Sequence, residues 1–145
     1  QAAVDFNDIT VKSILTPKEK IVALDYNKLS KNEILKRIDN IQFSRLPVYE
    51  QKYDNIVGIL NIRKFLKLAI NSKKFALKQS ISDVIKVLDT TSLNEMIEIF
   101  KNKKNHMAIV YNDANELVGL VTMEDVLEEL VGETKKELSI KGGNK

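Results

Sequence analysis

The chain contains itself twice. "SRLPVYEQKYDNIVGILNIRKFL" (44–66) lies over "NHMAIVYNDANELVGLVTMEDVL" (105–127) at a constant offset of 61. That offset sets Gly58 on Gly119, Val57 on Val118, Asn61 on Thr122, Lys64 on Asp125 and Leu66 on Leu127. Upstream the match continues at an offset of 62, with "LSKNEILKRIDN" (29–40) over "TSLNEMIEIFKN" (91–102). A unit this short cannot bury its helices alone, but two copies packed sheet to sheet can share a core. The chain is therefore one domain, or two small repeats in one body.

Each copy reads strand, helix, strand, turn, strand, helix. In copy one the expected strands are Ile21–Leu24, Leu46–Tyr49 and Ile56–Leu60. In copy two they are Lys86–Leu88, Met107–Tyr111 and Leu117–Val121. Ser30-x-x-Glu33 and Ser92-x-x-Glu95 are capping boxes that open a helix in each copy. Behind them Ile34, Leu35, Ile38 and Ile41 form one helical apolar stripe, and Met96, Ile97 and Phe100 its partner. "EQKYDN" and "NDANE" are the polar, Asp/Asn-rich turns of two hairpins. A helix at Val11–Leu15 precedes copy one and stops at Pro17. "LAINSKKFALKQSISDVI" links the copies through helical structure, and "KKELSIKGGNK" is a frayed polar tail. The expected divisions are 1–75 for the N-terminal helix and first copy, 76–135 for the second, and 136–145 for the tail.

Charge and composition narrow the function. With 23 basic against 20 acidic residues the net charge is +3, a mixed surface rather than a nucleic-acid footprint. The Lys pairs at 73–74, 103–104 and 135–136 are isolated and read as solvated. No apolar run approaches the length of a membrane span, and "QAAVDFND" has no signal-peptide pattern. No cysteine is present, so disulfides and thiolate metal sites are excluded. With a single His, no phosphate loop and no paired catalytic carboxylates, the chain does not read as an enzyme.

Two copies of this unit, the second carrying "GLVTMED", resemble a tandem pair of CBS domains. The resemblance covers about residues 8–132 and implies an α+β fold. Two CBS motifs, each β-α-β-β-α, would pack about a pseudo-twofold axis. "HMAIVYNDANELVGLVTMEDVLEELVGE" (106–133) is similar to the second CBS motif of the CorC/HlyC-type magnesium and cobalt efflux or hemolysin-like proteins. "VKSILTPKEKIVALD" (11–25) and "SRLPVYE" (44–50) resemble that family's first motif. The family places such a pair at the cytoplasmic face of the cell membrane, joined to a transmembrane domain. The chain is then expected to be a fragment of a longer membrane protein. CBS pairs bind adenine nucleotides through Gly-h-h-Thr/Ser-x-x-Asp and pass the change to the attached domain.

Copy two carries the whole motif as Gly119, Leu120, Val121, Thr122 and Asp125. Gly119 would let a ligand lie against bare backbone. The helix start suits phosphate, and the Thr122 hydroxyl adds a donor. Asp125 repels phosphate but accepts from the two hydroxyls of a ribose. The plainer alternative is a helix cap, and both can hold together, with the cap loosening when ligand arrives. Copy one departs from the motif. Asn61 can cap a helix, but Lys64 cannot accept from ribose. One adenine nucleotide per chain is expected, AMP or ATP, with or without magnesium, and no protein-held metal.

By the family's pattern the first copy completes this cleft through Thr16 to Ile21 and Ser44 to Pro47. Thr16 and Ile21 would flank the adenine, and Ser44, Arg45, Leu46 and Pro47 would line the other side. Arg45 could grip a polyphosphate bidentately. His106 is expected to be a packed structural residue beside Met107 and Ala108. Phe65–Leu66–Ala69 and Val126–Leu127–Leu130 suit a homodimer through helix faces. A ligand-free dimerisation scaffold is the competing reading.

Overall fold

The structure is a computed structural model describing residues 8–38, 45–71, 77–103 and 105–143, the side chains of 37–38, 77–78 and 136–143 excepted. The element order is β1 (Thr16–Pro17), β2 (Leu24–Asp25), α1 (Lys31–Ile38), β3 (Arg45–Glu50) and β4 (Lys52–Asn61). Then come α2 (Ile62–Asn71), β5 (Ile81–Ser82), β6 (Ile85–Leu88), α3 (Leu93–Lys101), β7 (Met107–Tyr111), β8 (Leu117–Thr122) and α4 (Met123–Gly143). Two four-stranded sheets result, ordered β1-β8-β7-β6 and β2-β3-β4-β5. They have the same plan. β6 runs parallel to β7 as β2 does to β3, each followed by an antiparallel hairpin and an antiparallel edge strand. The expected α+β fold is thus present, with one sheet plan used twice.

Packing follows the repeat. Around the first sheet, Ala108, Val110 and Val121 meet Leu93, Met96 and Phe100 of α3, Val126 of α4, Val87 and Val11. Around the second, Leu46, Val48 and Leu60 meet Ile34 of α1, Ile62 and Phe65 of α2, and Leu24. Inward positions alternate along β8 as a half-buried strand requires, whereas central β7 is buried throughout. Of the α1 stripe, Ile34 is buried but Leu35 is exposed; Ile38's side chain and Ile41 lie outside the described residues.

Four expectations change. The offset of 61 holds only after the hairpin turn. Val48 sits opposite Gly58 and Val110 opposite Gly119, while Tyr49 faces Ile56 and Tyr111 faces Leu117. Val48 therefore matches Val110, and the leading strand keeps the upstream offset of 62. The missing residue lies in the second turn, where Asn112 Oδ1 accepts from the N–H groups of Ala114 and Glu116. Each turn holds one residue at positive φ, Gln51 at 67° and Asn115 at 61°. The N-terminal helix is only a 3-10 turn at Val11–Ser13, followed by the short strand β1. The expected strand at Ile21–Leu24 shrinks to Leu24–Asp25. The tail is not frayed at residue 136, because α4 continues to Gly143.

The compact units also cut across the copies. Residues 1–19 group with 85–145, and residues 20–84 form the other unit. The cause is pairing: β1 joins β8, the Val11 N–H donates to the Thr91 carbonyl, and the Leu93 N–H to that of Ile9. β5 likewise closes the edge of the 20–84 sheet against β4.

Candidate functional site

The helix start after β8 carries the motif pair. The Asp125 N–H donates to Thr122 Oγ1 at 3.1 Å, and the Thr122 N–H donates to Asp125 Oδ2 at 3.0 Å. Both residues are half-buried. The Met123 N–H donates to the His106 carbonyl at 2.8 Å, tying the same turn to the start of β7. This is a complete reciprocal cap, as at Ser92 and Glu95.

The cap does not use up the pair. A hydroxyl accepting one bond still has its own proton to donate, so Thr122 remains a donor toward an anion. A carboxylate has about four acceptor sites, and one bond through Oδ2 leaves Oδ1 for a diol. Cap and ligand can therefore hold together without the expected loosening, on hydrogen-bonding grounds.

The first copy behaves otherwise. Asn61 Oδ1 accepts from the Lys64 N–H at 3.0 Å, so Asn caps α2 as expected. Lys64 is exposed and supplies no acceptor.

The remaining expected residues divide between the units. Thr16 joins Gly119, Leu120, Thr122 and Asp125 in the unit of 1–19 and 85–145, its Cα opposite Leu120 in the β1–β8 ladder. Gly119 has a different reason to be glycine than ligand approach. A Cβ there would collide with the Thr16 carbonyl and come within 2.8 Å of Leu15 Cδ1. Gly58 faces Ile81 and Ser82 of β5 in the same way. Val121 is fully buried in the core, so it offers a ligand only its backbone.

In the unit of 20–84, Leu46 is equally a core side chain, and Pro47 and Ile21 are buried. Arg45 is half-buried at the head of β3, its Cα opposite Asn61. Ser44 lies outside the described residues. His106 is exposed rather than packed, its ring edge-on to Phe100 at 6.0 Å. With the offset of 62, its counterpart is Ser44 and that of Arg45 is Met107. The shared "VY" of 48–49 and 110–111 carried that signal.

The CBS domain family model matches residues 78–132. The UPF0053 protein YhdP of Bacillus subtilis is 31% identical over 94% of this chain and 31% of its own length. The magnesium and cobalt efflux protein CorC of Pasteurella multocida is 30% identical over 94% of this chain and 46% of its own. The chain thus spans a third to a half of these relatives.

Among solved structures, the CBS domain of a putative transporter from Clostridium difficile is 28% identical, with a TM-score of 0.80 over 90% of this chain and 99% of that one. The CBS domain of a bacterial CNNM/CorC family Mg2+ transporter in complex with ATP is 27% identical, with a TM-score of 0.79 over 88% and 90%. A CBS-domain pair with bound AMP from Klebsiella pneumoniae is 25% identical, with a TM-score of 0.74 over 86% and 99%.

Two like sheets, each leading through a hairpin into a capped helix, define a CBS-domain protein. The chain carries a CBS domain at residues 78–132, and the proteins it resembles include UPF0053, hemolysin C and CorC-type proteins.

Proposed function

We propose that this chain is the regulatory module of a CorC-type ion transporter or hemolysin-like membrane protein, and that it binds one adenine nucleotide. It would sit at the cytoplasmic face of the membrane, joined to a transmembrane domain and paired with a second copy. No described helix is long and apolar enough to cross a membrane, so the span would belong to the rest of the protein.

The observation that carries the reading is the Thr122–Asp125 pair, which is held by its cap yet retains a free hydroxyl proton and a free carboxylate oxygen. Thr122 would donate to phosphate and Asp125 would accept from the ribose. In the unit of 1–19 and 85–145, Thr16 would flank the base and Gly119, Leu120 and Val121 would line the rest; in the unit of 20–84, Ile21 would flank the base and Arg45 would take a polyphosphate, beside Leu46 and Pro47. The ATP and AMP held by the two structural neighbours support the ligand class.

The competing reading is a ligand-free dimerisation scaffold, favoured by the loss of the acid at Lys64. A thermal melt separates them. Ligand at 100 times its dissociation constant adds about 2.7 kcal/mol, which for a chain of this size raises Tm by about 5–10 °C. AMP, ADP and ATP are each tested with and without magnesium. At least one is expected to raise Tm, and no shift with any of them leaves the scaffold.

A further inference from the structure

Between β2 and the 3-10 turn at Lys18–Lys20, residues 21–23 belong to neither helix nor strand. This is where the nucleotide reading places one wall of the base. The Tyr53 hydroxyl, on β4, donates to the Ile21 carbonyl at 2.6 Å across 32 residues of sequence. Both residues lie in the unit of 20–84. Tyr53 is itself steadied by Tyr49, whose ring lies 5.3 Å away at 48°. Ile21 is 8% exposed, so its side chain is anchored as well.

We propose that Tyr53 is a positioning residue for the base of the nucleotide, an inference that rests on the nucleotide-binding reading above. In a trans peptide the carbonyl of one residue and the N–H of the next point to opposite sides. Holding the Ile21 carbonyl on Tyr53 turns the Val22 N–H the other way. A fixed N–H is a donor suited to a ring nitrogen on the edge of a purine. Without the clasp, an irregular segment would have to be ordered on binding, and that entropy would be charged against affinity. Tyr53 acts through the 21–22 peptide and touches no ligand itself.

Tyr53→Phe removes the hydroxyl and keeps the ring against Tyr49. Two measurements are made on it and on the wild type. The first is amide hydrogen exchange of residues 21–23 without ligand, which is expected to quicken in the variant. The second is calorimetric titration with ATP and, separately, with inorganic tripolyphosphate. The ATP dissociation constant is expected to rise about tenfold, the scale of one hydrogen bond, while tripolyphosphate binding stays unchanged.

Unchanged exchange overturns the clasp, and so does unchanged ATP affinity in a variant whose wild type binds ATP. An equal loss for both ligands also overturns it, since that marks general destabilisation. A wild type that binds no adenine nucleotide overturns the nucleotide reading itself, and the role of Tyr53 falls with it.

Discussion

At the scale of single residues, Thr122 and Asp125 serve the fold and leave capacity for a ligand. Asp125 separates the two roles. Asn at 125 keeps one carbonyl oxygen to accept from the Thr122 N–H, so Asp125→Asn should cost no more than about 0.5 kcal/mol of stability. It loses the charge and half the acceptor capacity a ribose diol needs, so the Tm shift with nucleotide should largely vanish. Asp125→Ala should lose the shift and also about 1 kcal/mol from the cap. Urea denaturation with and without nucleotide checks both variants. If Asp125→Asn keeps the full shift, Asp125 is a cap and nothing more. The cap was legible in the sequence because it is local, set by spacing on one helix turn. Tyr53 was not legible. Its bond to Ile21 joins two segments that no periodicity relates.

At the scale of elements, the two glycines show how each sheet is closed. Gly119 and Gly58 both lie where an edge strand crosses the hairpin too closely for a side chain. They differ in what stands in the way. Facing Gly119 is the backbone carbonyl of Thr16, which moves only if β1 moves; facing Gly58 most closely is the Ile81 γ2 methyl, which turns about a single bond, with the Ser82 carbonyl farther off at 3.1 Å. Gly119→Ala should therefore destabilise by about 3 kcal/mol, the upper end for overpacking, and Gly58→Ala by about 1. Equilibrium urea unfolding of the two variants measures the difference, and equal losses would mean that β1 yields as easily as a side chain. The hairpins β3–β4 and β7–β8 were legible because alternation along a half-buried strand leaves a period in the sequence. β1 and β5 were not. Each is two residues long, and a strand that short has no period; its place is set by a partner far along the chain. The short turn also hid the true register, since sliding the hairpin by one residue still matches apolar to apolar.

At the scale of the whole molecule, the expected dimer faces need revision. Phe65 and Val126 are fully buried within their own units, so neither is available to a second chain. What α4 leaves outside is Leu127 at 50% and Val131 at 53% exposed, one turn apart on one face. At the equivalent positions of α2 stand Leu66, half-buried, and Ile70, 80% exposed. The flanking charges invert between the copies: Arg63, Lys64 and Lys67 on α2 correspond to Glu124, Asp125 and Glu128 on α4. Apolar pairs flanked by charge are what a self-associating helix face presents. If the proposed homodimer uses them, Leu127→Glu with Val131→Glu should make the protein monomeric in sedimentation velocity. Tm in dilute solution should stay within about 2 °C, since surface changes cost little. A dimer that survives both substitutions is built on some other surface. The charge inversion makes salt a second probe of the same interface. Like helices facing one another would set cations on cations and acids on acids, and screening would tighten such a dimer. If α2 of one copy faces α4 of the other, opposite charges meet and added salt loosens the dimer.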